Sequence, residues 1–436
     1  MKKVLIITYY WPPAGGPGVQ RALKFVKYLP QFGWEPVVLT VQNPDSPNED
    51  VSLLNDIPEG IKVYKTKSLE PFELYKKFTG KKSDSKIPND ILLNKKNVSL
   101  KDKIAQWVRL NIFIPDAKIG WKRFAVKKGL EIIEKENIDI IFTTSPPQTV
   151  SLIGKKLSKQ TGVKWVADFR DPWMEIVYYQ NVKRSWLTTK IDYMLEKKVF
   201  TSANAIVTIS NDMIRMFKEK ASNQKFYLIP NGFDNSDFTK DLENKNENFT
   251  IAYTGSISKD RVPHVLFSAL SRLIKVDGIK NLRFNFAGKY CPEFEDEIKK
   301  YNLQGISDLR GFVPHKESTQ ILQNADVLLL VVDNVKNNKG FLTGKLFEYM
   351  GTKKPTFAIG PVDGDAHSFL KESNSGAMVG YTDDDGAYNL LKAMYNNWKA
   401  GNNIYTFDVQ QFSRQNLTEK LAEVFAETLK YNRSRI

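Results

Sequence analysis

The turn at residues 340–355 carries residue types that suit a nucleoside diphosphate. It reads GFLTGKLFEYMGTKKP and lies between apolar strands predicted at 325–332 and 355–360. Ligands bind at the carboxyl ends of such parallel strands, and the N-terminus of the intervening helix offers backbone N–H groups to phosphate. Lys345 can reach the same anion, and Glu348, on the same helix face, can accept hydrogen bonds from ribose hydroxyls. The alternative is an ordinary Lys–Glu pair, worth only about 0.2–0.5 kcal/mol.

A second cation follows the strand that opens the second half of the chain. The segment YTGSISKDR (residues 253–261) places Gly255 at the carboxyl end of that strand and Arg261 shortly after it. A guanidinium binds phosphate oxygens in a fixed planar fork. Because Arg261 and Lys345 come from different strand ends, we expect the two cations to converge on one anion.

A glycine-rich loop also follows the first predicted strand. It reads WPPAGGPG over residues 11–18. Gly15 and Gly16 let the backbone approach a ligand without an intervening Cβ, and the helix that begins near Val19 points its N-terminus at that ligand. The loop is neither a Walker A sequence nor a GxGxxG fingerprint. Gly15 and Gly16 are therefore candidate binding residues, with a plain strand–helix turn as the alternative.

Three charged residues crowd the end of the fifth strand predicted in the first half, in the sequence DFRDPW. A buried charge needs a partner or a function. Asp168 or Asp171 can stand beside a reacting hydroxyl, with Arg170 and Trp173 toward an acceptor. The structural alternative is a salt bridge of Arg170 that fixes the loop. Both interpretations stay open, and different residues of the motif can fill the two roles.

The elements that must position these residues alternate between strand-like and helix-like segments from end to end. Such alternation predicts an α/β fold of two Rossmann-like, doubly wound domains that face each other across a cleft. We predict an N-terminal domain over 1–234 with an insertion at about 70–116. A polar linker over 235–248 leads to a C-terminal domain over 249–407, and a last helix lies within 408–436.

The insertion and the charge distribution point to an acidic surface as a partner. The net charge is +15, and residues 1–200 carry 34 Lys and Arg against 21 Asp and Glu. The insertion combines a basic stretch, which includes Lys76, Lys77, Lys81 and Lys82, with an amphipathic helix that carries Trp107. Trp107 is a further candidate residue on the acceptor side. Packing of that helix on its own domain is the first expectation, with peripheral contact to an anionic membrane in addition. The alternative is a lysine-rich, solvated surface.

Composition limits the remaining classes of protein. No apolar run approaches the roughly 18 residues of a membrane span, and MKKVLIITYY is interpreted as a first strand rather than a signal peptide. The single cysteine, Cys291, fits the cytoplasm and excludes a disulfide framework within the chain. The three histidines, His264, His315 and His367, are too scattered for a zinc cluster. No metal site is predicted.

The ordered series of motifs resembles retaining glycosyltransferases of the GT-B fold, of the large family four type (glycosyl transferases group 1). The resemblance covers nearly the whole chain. Its motifs are the glycine pair at 15–16, TIS at 208–210, PNGFD at 230–234, YTG at 253–255, FAG at 286–288, GFVP at 311–314, ADV at 325–327 and the segment 345–355.

The resemblance implies a donor site in the second domain and an acceptor site in the first. It also implies that the final helix, within 408–436, packs back on the N-terminal domain. Arg261 and Lys345 would neutralise the diphosphate leaving group, and Glu348 would bind ribose. Thr343 and Gly344 would lend backbone N–H groups. No cofactor and no metal are implied, because side-chain cations replace the metal. The sequence departs from the family at residue 340, which is glycine rather than glutamate, and at the fifth strand, where DFRDPW stands in place of a histidine.

Three classes of function are compatible with these features. The first is a transferase that moves a sugar from a nucleotide-diphosphate sugar to a glycan or lipid-linked acceptor, in cell-surface polysaccharide or glycolipid synthesis. The second is a nucleotide-sugar 2-epimerase of the same architecture, which relies on histidines that the first domain lacks. The third is a non-enzymatic nucleic-acid-binding protein. It leaves the nucleotide site unexplained, so no nucleic-acid partner is predicted.

Overall fold

The computed structural model describes residues 1–44, 46, 49–69, 100–176, 182, 184–238, 246–402 and 404–430. The chain forms two compact units. The first consists of Met1–Ile209, Met213–Pro230 and Leu417–Ile436, and the second of Ser210–Asp212 and Asn231–Asn416. The second unit thus begins four residues before the predicted linker, and half of that linker, residues 239–245, lies outside the described residues. Lys76, Lys77, Lys81 and Lys82 of the predicted insertion also lie outside them.

The first unit contains a seven-stranded parallel sheet in the order β3-β2-β1-β4-β5-β6-β7. Its strands are β1 (Lys2–Ile7), β2 (Trp34–Val41), β3 (Lys62–Thr66), β4 (Ile140–Ser145), β5 (Lys164–Phe169), β6 (Ala205–Thr208) and β7 (Phe226–Leu228). The helices up to β7 are α1 (Pro17–Tyr28), α2 (Leu100–Asn111), α3 (Lys122–Glu136), α4 (Thr149–Thr161), α5 (Trp186–Ser202) and α6 (Asn211–Lys220).

The second unit contains a six-stranded parallel sheet in the order β10-β9-β8-β11-β12-β13. Its strands are β8 (Phe249–Thr254), β9 (Leu282–Ala287), β10 (Ser307–Arg310), β11 (Val327–Val331), β12 (Thr356–Ile359) and β13 (Gly376–Val379). The remaining helices are α7 (His264–Lys275), α8 (Pro292–Lys300), α9 (His315–Gln323), α10 (Gly344–Thr352), α11 (Asp365–Glu372), α12 (Asp384–Ala400) and α13 (Arg414–Lys430).

Short 3₁₀ turns connect several of these elements. They span Leu29–Phe32, Val51–Asp56, Ile119–Trp121, Asn235–Asp237, Lys259–Arg261, Gln304–Ile306 and Gln410–Phe412. The predicted α/β class and the two doubly wound sheets are confirmed. The central strands β1, β4, β8 and β11 read as apolar runs because helices cover both faces of a parallel sheet.

The last helix, α13, belongs mainly to the core of the first unit. From Leu417 onward its buried side chains join the apolar cluster of β1, β2 and β4. The ring of Phe425 lies 5.2 Å from that of Trp34 and 5.5 Å from that of Phe142, edge to face in both cases. Edge-to-face pairs of this kind add about 0.5–1.5 kcal/mol beyond the area that they bury.

Each sheet has one point at which the strand order reverses, between β1 and β4 in the first unit and between β8 and β11 in the second. Loops from adjacent strands diverge there at the carboxyl edge and leave a crevice that binds ligands in doubly wound folds. The residues singled out from the sequence follow these strands. Among the described residues no helix is long and apolar enough to cross a membrane.

Candidate functional site

Lys345 and Gly255 meet at the strand-order reversal of the second unit. Gly255 follows β8 with φ +124°, and a Cβ added there would lie 2.6 Å from Lys345 Nζ. Only glycine therefore leaves room for the ammonium group. Lys345 is half-buried, and burial lowers its pKa, opposed by Glu348 and aided by the positive charge of Arg261. Within the described part of the chain Lys345 forms no ion pair, so its charge is available to an anion.

The N-terminus of α10 lies beside this lysine and has unsatisfied donors. Thr343 is the N-cap residue, and its side chain makes no capping hydrogen bond. Its hydroxyl oxygen is buried and has no hydrogen-bond partner in the structure. Buried polar groups without a partner cost free energy unless a ligand satisfies them. The hydroxyl of Thr343 and the first N–H groups of α10, at Gly344 and Lys345, together suit phosphate oxygens.

Arg261 is held in place by an acid that the sequence did not single out. Its Nε and Nη2 donate to the two carboxylate oxygens of Asp333 at 2.5 and 2.7 Å. Its Nη1 lies 3.5 Å from the carbonyl oxygen of Ser256. The bidentate pair fixes the guanidinium and raises its pKa. Asp333 comes two residues after β11, and its position at the end of an apolar strand was the one signal available.

Glu348 lies one turn into α10 on the side of Lys345. Its carboxylate is half-exposed, and the described residues offer it no hydrogen bond. Its negative charge raises the pKa of Lys345, so the two groups are close without forming an ion pair. Gly255, Thr343, Lys345 and Glu348 thus lie near the carboxyl edge of the second sheet, and their contacts with a donor stay a prediction.

Asp168 has a structural role in the first unit. It is fully buried, and its two oxygens accept from Arg21 Nε at 3.0 Å and Arg21 Nη2 at 2.7 Å. The hydroxyl of Thr144 donates to it at 2.6 Å. Arg21 also donates to the carbonyl oxygens of Pro230 and Ile229, at 2.9 and 2.8 Å. Both oxygens are bonded within the core and the side chain is not exposed, so we assign Asp168 a structural role rather than that of a reacting group.

Arg170 packs against the glycine-rich loop after β1. Its Nε and Nη2 donate to the carbonyl oxygens of Ser145 and Pro146, at 3.1 and 2.7 Å. A Cβ at Gly18 would lie 1.6 Å from Arg170 Nη1, so any other residue at that position would displace the guanidinium from its present place. Arg170 thus joins the loops that follow β1, β4 and β5. Gly15 and Gly16 precede α1 in the same loop, with Gly16 as its N-cap.

Asp171 and Trp173 differ in what they can offer a substrate. Burial raises the pKa of Asp171, and Arg170 opposes that rise. Asp171 is half-buried, and none of the described residues donates a hydrogen bond to its carboxylate. Trp173 is 1% exposed, and its indole N–H donates to Asp192 Oδ1 at 2.7 Å. Asp171 therefore stays a candidate acid, whereas the predicted acceptor contact of Trp173 is not supported because its ring is enclosed.

Trp107, the remaining predicted acceptor-side residue, lies on α2 with 56% of its surface exposed. The helix was expected first of all to pack on its own domain. Ile104 and Ile112, on the same side, are 56% and 58% exposed. These three side chains therefore do not pack in the core of the first unit. No group of three or more potential metal ligands occurs among the residues that the structure describes.

Comparison with known proteins identifies the fold. Residues 93–237 match the family described as Glycosyltransferase Family 4. The chain also superposes over 99% of its length on all of a sucrose-phosphate synthase from Thermosynechococcus elongatus, with a TM-score of 0.61 and 13% identity. The protein has the GT-B glycosyltransferase fold. The expected resemblance to glycosyltransferases of the GT-B fold is thereby confirmed, whereas retention stays a prediction. No curated protein sequence matches the chain.

Two further solved structures with this fold have a bound ligand or a described activity. Anabaena HepE, solved in complex with UDP, is 13% identical and superposes with a TM-score of 0.62, covering 98% of this chain and 100% of that one. A protein described as a UDP-N-acetylglucosamine 2-epimerase from Listeria monocytogenes is 11% identical with a TM-score of 0.55, covering 99% and 98%. At these identities the likeness shows the fold alone.

Proposed function

We propose that this GT-B protein transfers a sugar, with retention, from a nucleotide-diphosphate sugar to a glycan or lipid-linked acceptor. The observation that carries the proposal is the Lys345 ammonium group over Gly255, beside the unpaired hydroxyl of Thr343 at the N-terminus of α10. A fixed cation, free helix N–H groups and a nearby acid, Glu348, match a nucleoside diphosphate. The match to Glycosyltransferase Family 4 supports the same activity.

The proposed chemistry is stabilisation of the leaving diphosphate as the C1–O bond breaks. Fixed cations and helix N–H groups aimed at developing charge lower such barriers without reorganisation. Lys345 supplies the direct charge, and Asp333 holds Arg261 ready beside it. Because these side chains are cationic, we propose that transfer needs no metal. We assign no enzymatic nucleophile: the acceptor attacks from the same face, and the leaving phosphate helps to deprotonate it. Asp171 is our candidate acid beside the acceptor hydroxyl.

We place the reaction in the cytoplasm, in cell-surface polysaccharide or glycolipid synthesis, with the protein in peripheral contact with the inner face of the cell membrane. The excess of positive charge in residues 1–200 supports an acceptor that is carried on an anionic lipid surface. Nucleic acid is not part of the proposal. Lys345, the N-terminus of α10 and Glu348 in the second unit suit a single nucleoside diphosphate rather than a polymer.

Thermal stability with nucleoside diphosphates tests the proposal directly. We expect one of UDP, GDP, ADP and CDP, in the presence of EDTA, to raise the melting temperature. A ligand at 100 times its dissociation constant stabilises by about 2.7 kcal/mol, which corresponds to a shift of several degrees. The matching nucleoside and inorganic pyrophosphate serve as controls for base and phosphate. If no nucleoside diphosphate shifts the transition, the proposed donor site is wrong.

Glu348→Gln is expected to weaken binding of the selected nucleoside diphosphate by about tenfold or more. The change keeps the side-chain shape but removes a charge that strengthens hydrogen bonds to ribose, each worth about 1.5–3 kcal/mol before compensation. Calorimetric titration with the nucleotide and with its 2′,3′-dideoxy analogue measures the effect. The analogue should bind wild type and variant equally. Glu372→Gln, an exposed acid on α11, is the matched control, and equal loss of both ligands would place Glu348 away from ribose.

The epimerase remains the second candidate because a protein with that description shares the fold. An epimerase converts the donor without an acceptor and releases no free sugar. Residues 1–263 contain no histidine, which removes the usual acid–base side chain from the first unit. Proton NMR of the selected nucleotide sugar with enzyme alone decides between them. Inversion at C2 without release of nucleoside diphosphate would favour the epimerase.

A further inference from the structure

The outer face of α5 combines exposed apolar side chains with lysines. Trp186 and Leu187, in its first turn, are 73% and 54% exposed, and Met194 is 42% exposed. Lys190, Lys197 and Lys198 lie between and beside them on the solvent side. The ammonium group of Lys190 lies 5.7 Å from the centre of the Trp186 ring. A helix packed only for stability would turn such large apolar side chains inward.

The acids of α5 point the other way. Asp192 and Glu196 are fully buried, and each is paired inside the unit. Asp192 accepts from Arg184 Nη2 at 2.6 Å, and Glu196 from Lys220 Nζ at 2.7 Å. No acid therefore neutralises the outer face from within the helix. None of Lys190, Lys197 and Lys198 forms an ion pair with any residue that the structure describes, so the face is positively charged.

Two hydrogen bonds attach the end of α2 to the start of α5. Asn111, at the end of α2, accepts from the backbone N–H of Ser185 at 2.7 Å through its side chain. Its carbonyl oxygen accepts from the hydroxyl of Thr188 at 3.1 Å. The end of α2 is thereby tied to the start of α5, where Trp186 and Leu187 lie. We use the name basic apolar face for a set of exposed side chains on these two helices. They are Trp107 on α2 and Trp186, Leu187, Lys190, Met194, Lys197 and Lys198 on α5.

We propose that the basic apolar face binds the surface of an anionic lipid bilayer. Tryptophan, leucine and methionine enter the boundary between headgroups and acyl chains, while lysines reach the lipid phosphates with their own stems on the apolar layer. A nucleic acid would attract the lysines but leave Leu187 and Met194 in water. A protein partner is less well matched, because lysine is depleted at the buried centre of protein interfaces.

Membrane binding would serve the proposed function by bringing the first unit to a lipid-linked acceptor, and the inference rests on the proposed function only in this respect. The binding itself requires neither donor nor acceptor. Lipid binding and nucleotide binding can therefore fail separately. A protein that binds vesicles but no nucleoside diphosphate would keep the basic apolar face and overturn the transferase proposal.

Co-sedimentation with vesicles tests the face. The full chain, at 0.1 M salt, is mixed with vesicles of phosphatidylcholine alone or with half phosphatidylglycerol. We expect binding to the anionic vesicles only, and release at 1 M salt, where the Debye length falls from about 10 to about 3 Å. The triple variant Lys190→Gln, Lys197→Gln, Lys198→Gln should lower the partition coefficient about fivefold for each lysine. Trp107→Ser with Trp186→Ser should lower it about tenfold or more.

A matched control removes the same charge from the second unit. Lys275, Lys280 and Lys371 are exposed there, and their triple glutamine variant should bind vesicles as the wild type does. All variants are checked for an unchanged melting temperature and nucleotide response. Equal losses in both triple variants, or binding that ignores the two tryptophans, would overturn the proposal. So would preferential binding of a 30-nucleotide oligomer, or a marked fall in melting temperature in the tryptophan variant, which would show that the face is covered by protein.

Discussion

Lys345→Ala is expected to lower the rate of sugar transfer by about 10²–10³-fold while the fold survives. Lys345 provides a charge that is fixed over Gly255 and is needed most as the diphosphate leaves. The side chain is half-buried and forms no ion pair within the described residues, so its loss removes little native packing. Release of nucleoside diphosphate from the donor chosen by the thermal screen measures the rate, and the melting temperature is recorded alongside.

Two comparisons make this result specific. Lys371→Ala, on the exposed side of α11, removes the same charge at a distance and should leave the rate unchanged. Because burial lowers the pKa of Lys345, kcat/KM of the wild type should fall as pH rises through a value below the ordinary 10.5. A bound diphosphate favours the ammonium form of Lys345. The corresponding fall in kcat should therefore occur at a higher pH than the fall in kcat/KM. A near-normal rate in a folded Lys345→Ala variant would remove Lys345 from the mechanism.

The architecture was predictable because apolar strands and amphipathic helices alternate along the whole chain. Parallel strands present their carboxyl ends at one edge, so the loops that carry Gly255, Arg261 and Lys345 were expected at the same edge of one sheet. The close approach of Gly255 to Lys345 became known only from the structure. The N-terminus of α10 was also predictable, since a glycine-rich turn before an apolar helix fixes where free N–H groups lie. These features depend on periodicity and topology, which a single sequence records.

Which side chains pair with each other was harder to predict from the sequence. Asp333 and Arg261 are separated by 72 residues, and nothing in the local sequence of either specifies the other. The same holds for Arg21 and Asp168, 147 residues apart. The sequence indicated that a charge cluster at the end of β5 needed a partner, but not which one. Arg21 lies within an ordinary amphipathic helix, and the helical pattern alone does not show that its guanidinium is buried.

Burial of aromatic residues was also ambiguous in the sequence. Trp173 and Trp107 both occur beside charged residues, and both were predicted to lie toward an acceptor. In the structure Trp173 is enclosed with its indole bonded to Asp192, whereas Trp107 is more than half exposed. The difference arises from α5, whose buried acid supplies the partner that an enclosed indole requires. Such a partner becomes visible only when the helices are assembled.

The buried pair of Arg21 and Asp168 leads to the second large effect. Asp168→Asn is expected to destabilise the first unit by about 3–5 kcal/mol, the usual cost of removing one member of a buried ion pair. The arginine, 2% exposed, would keep its charge without the carboxylate that satisfies it. It also holds the carbonyl oxygens of Ile229 and Pro230, so the end of β7 should loosen as well. Urea unfolding, followed by circular dichroism, measures the loss.

A double-mutant cycle separates the pair from its surroundings. Arg21→Met with Asp168→Asn should be less destabilised than the sum of the single variants, because neither charge is then left uncompensated. Asp171→Asn is the matched control: burial raises the pKa of Asp171, so its ionised form opposes folding at neutral pH, and neutralising it should leave stability unchanged or slightly higher. If Asp168→Asn instead kept wild-type stability and lost sugar transfer, Asp168 would be a reacting acid and the structural assignment would be wrong.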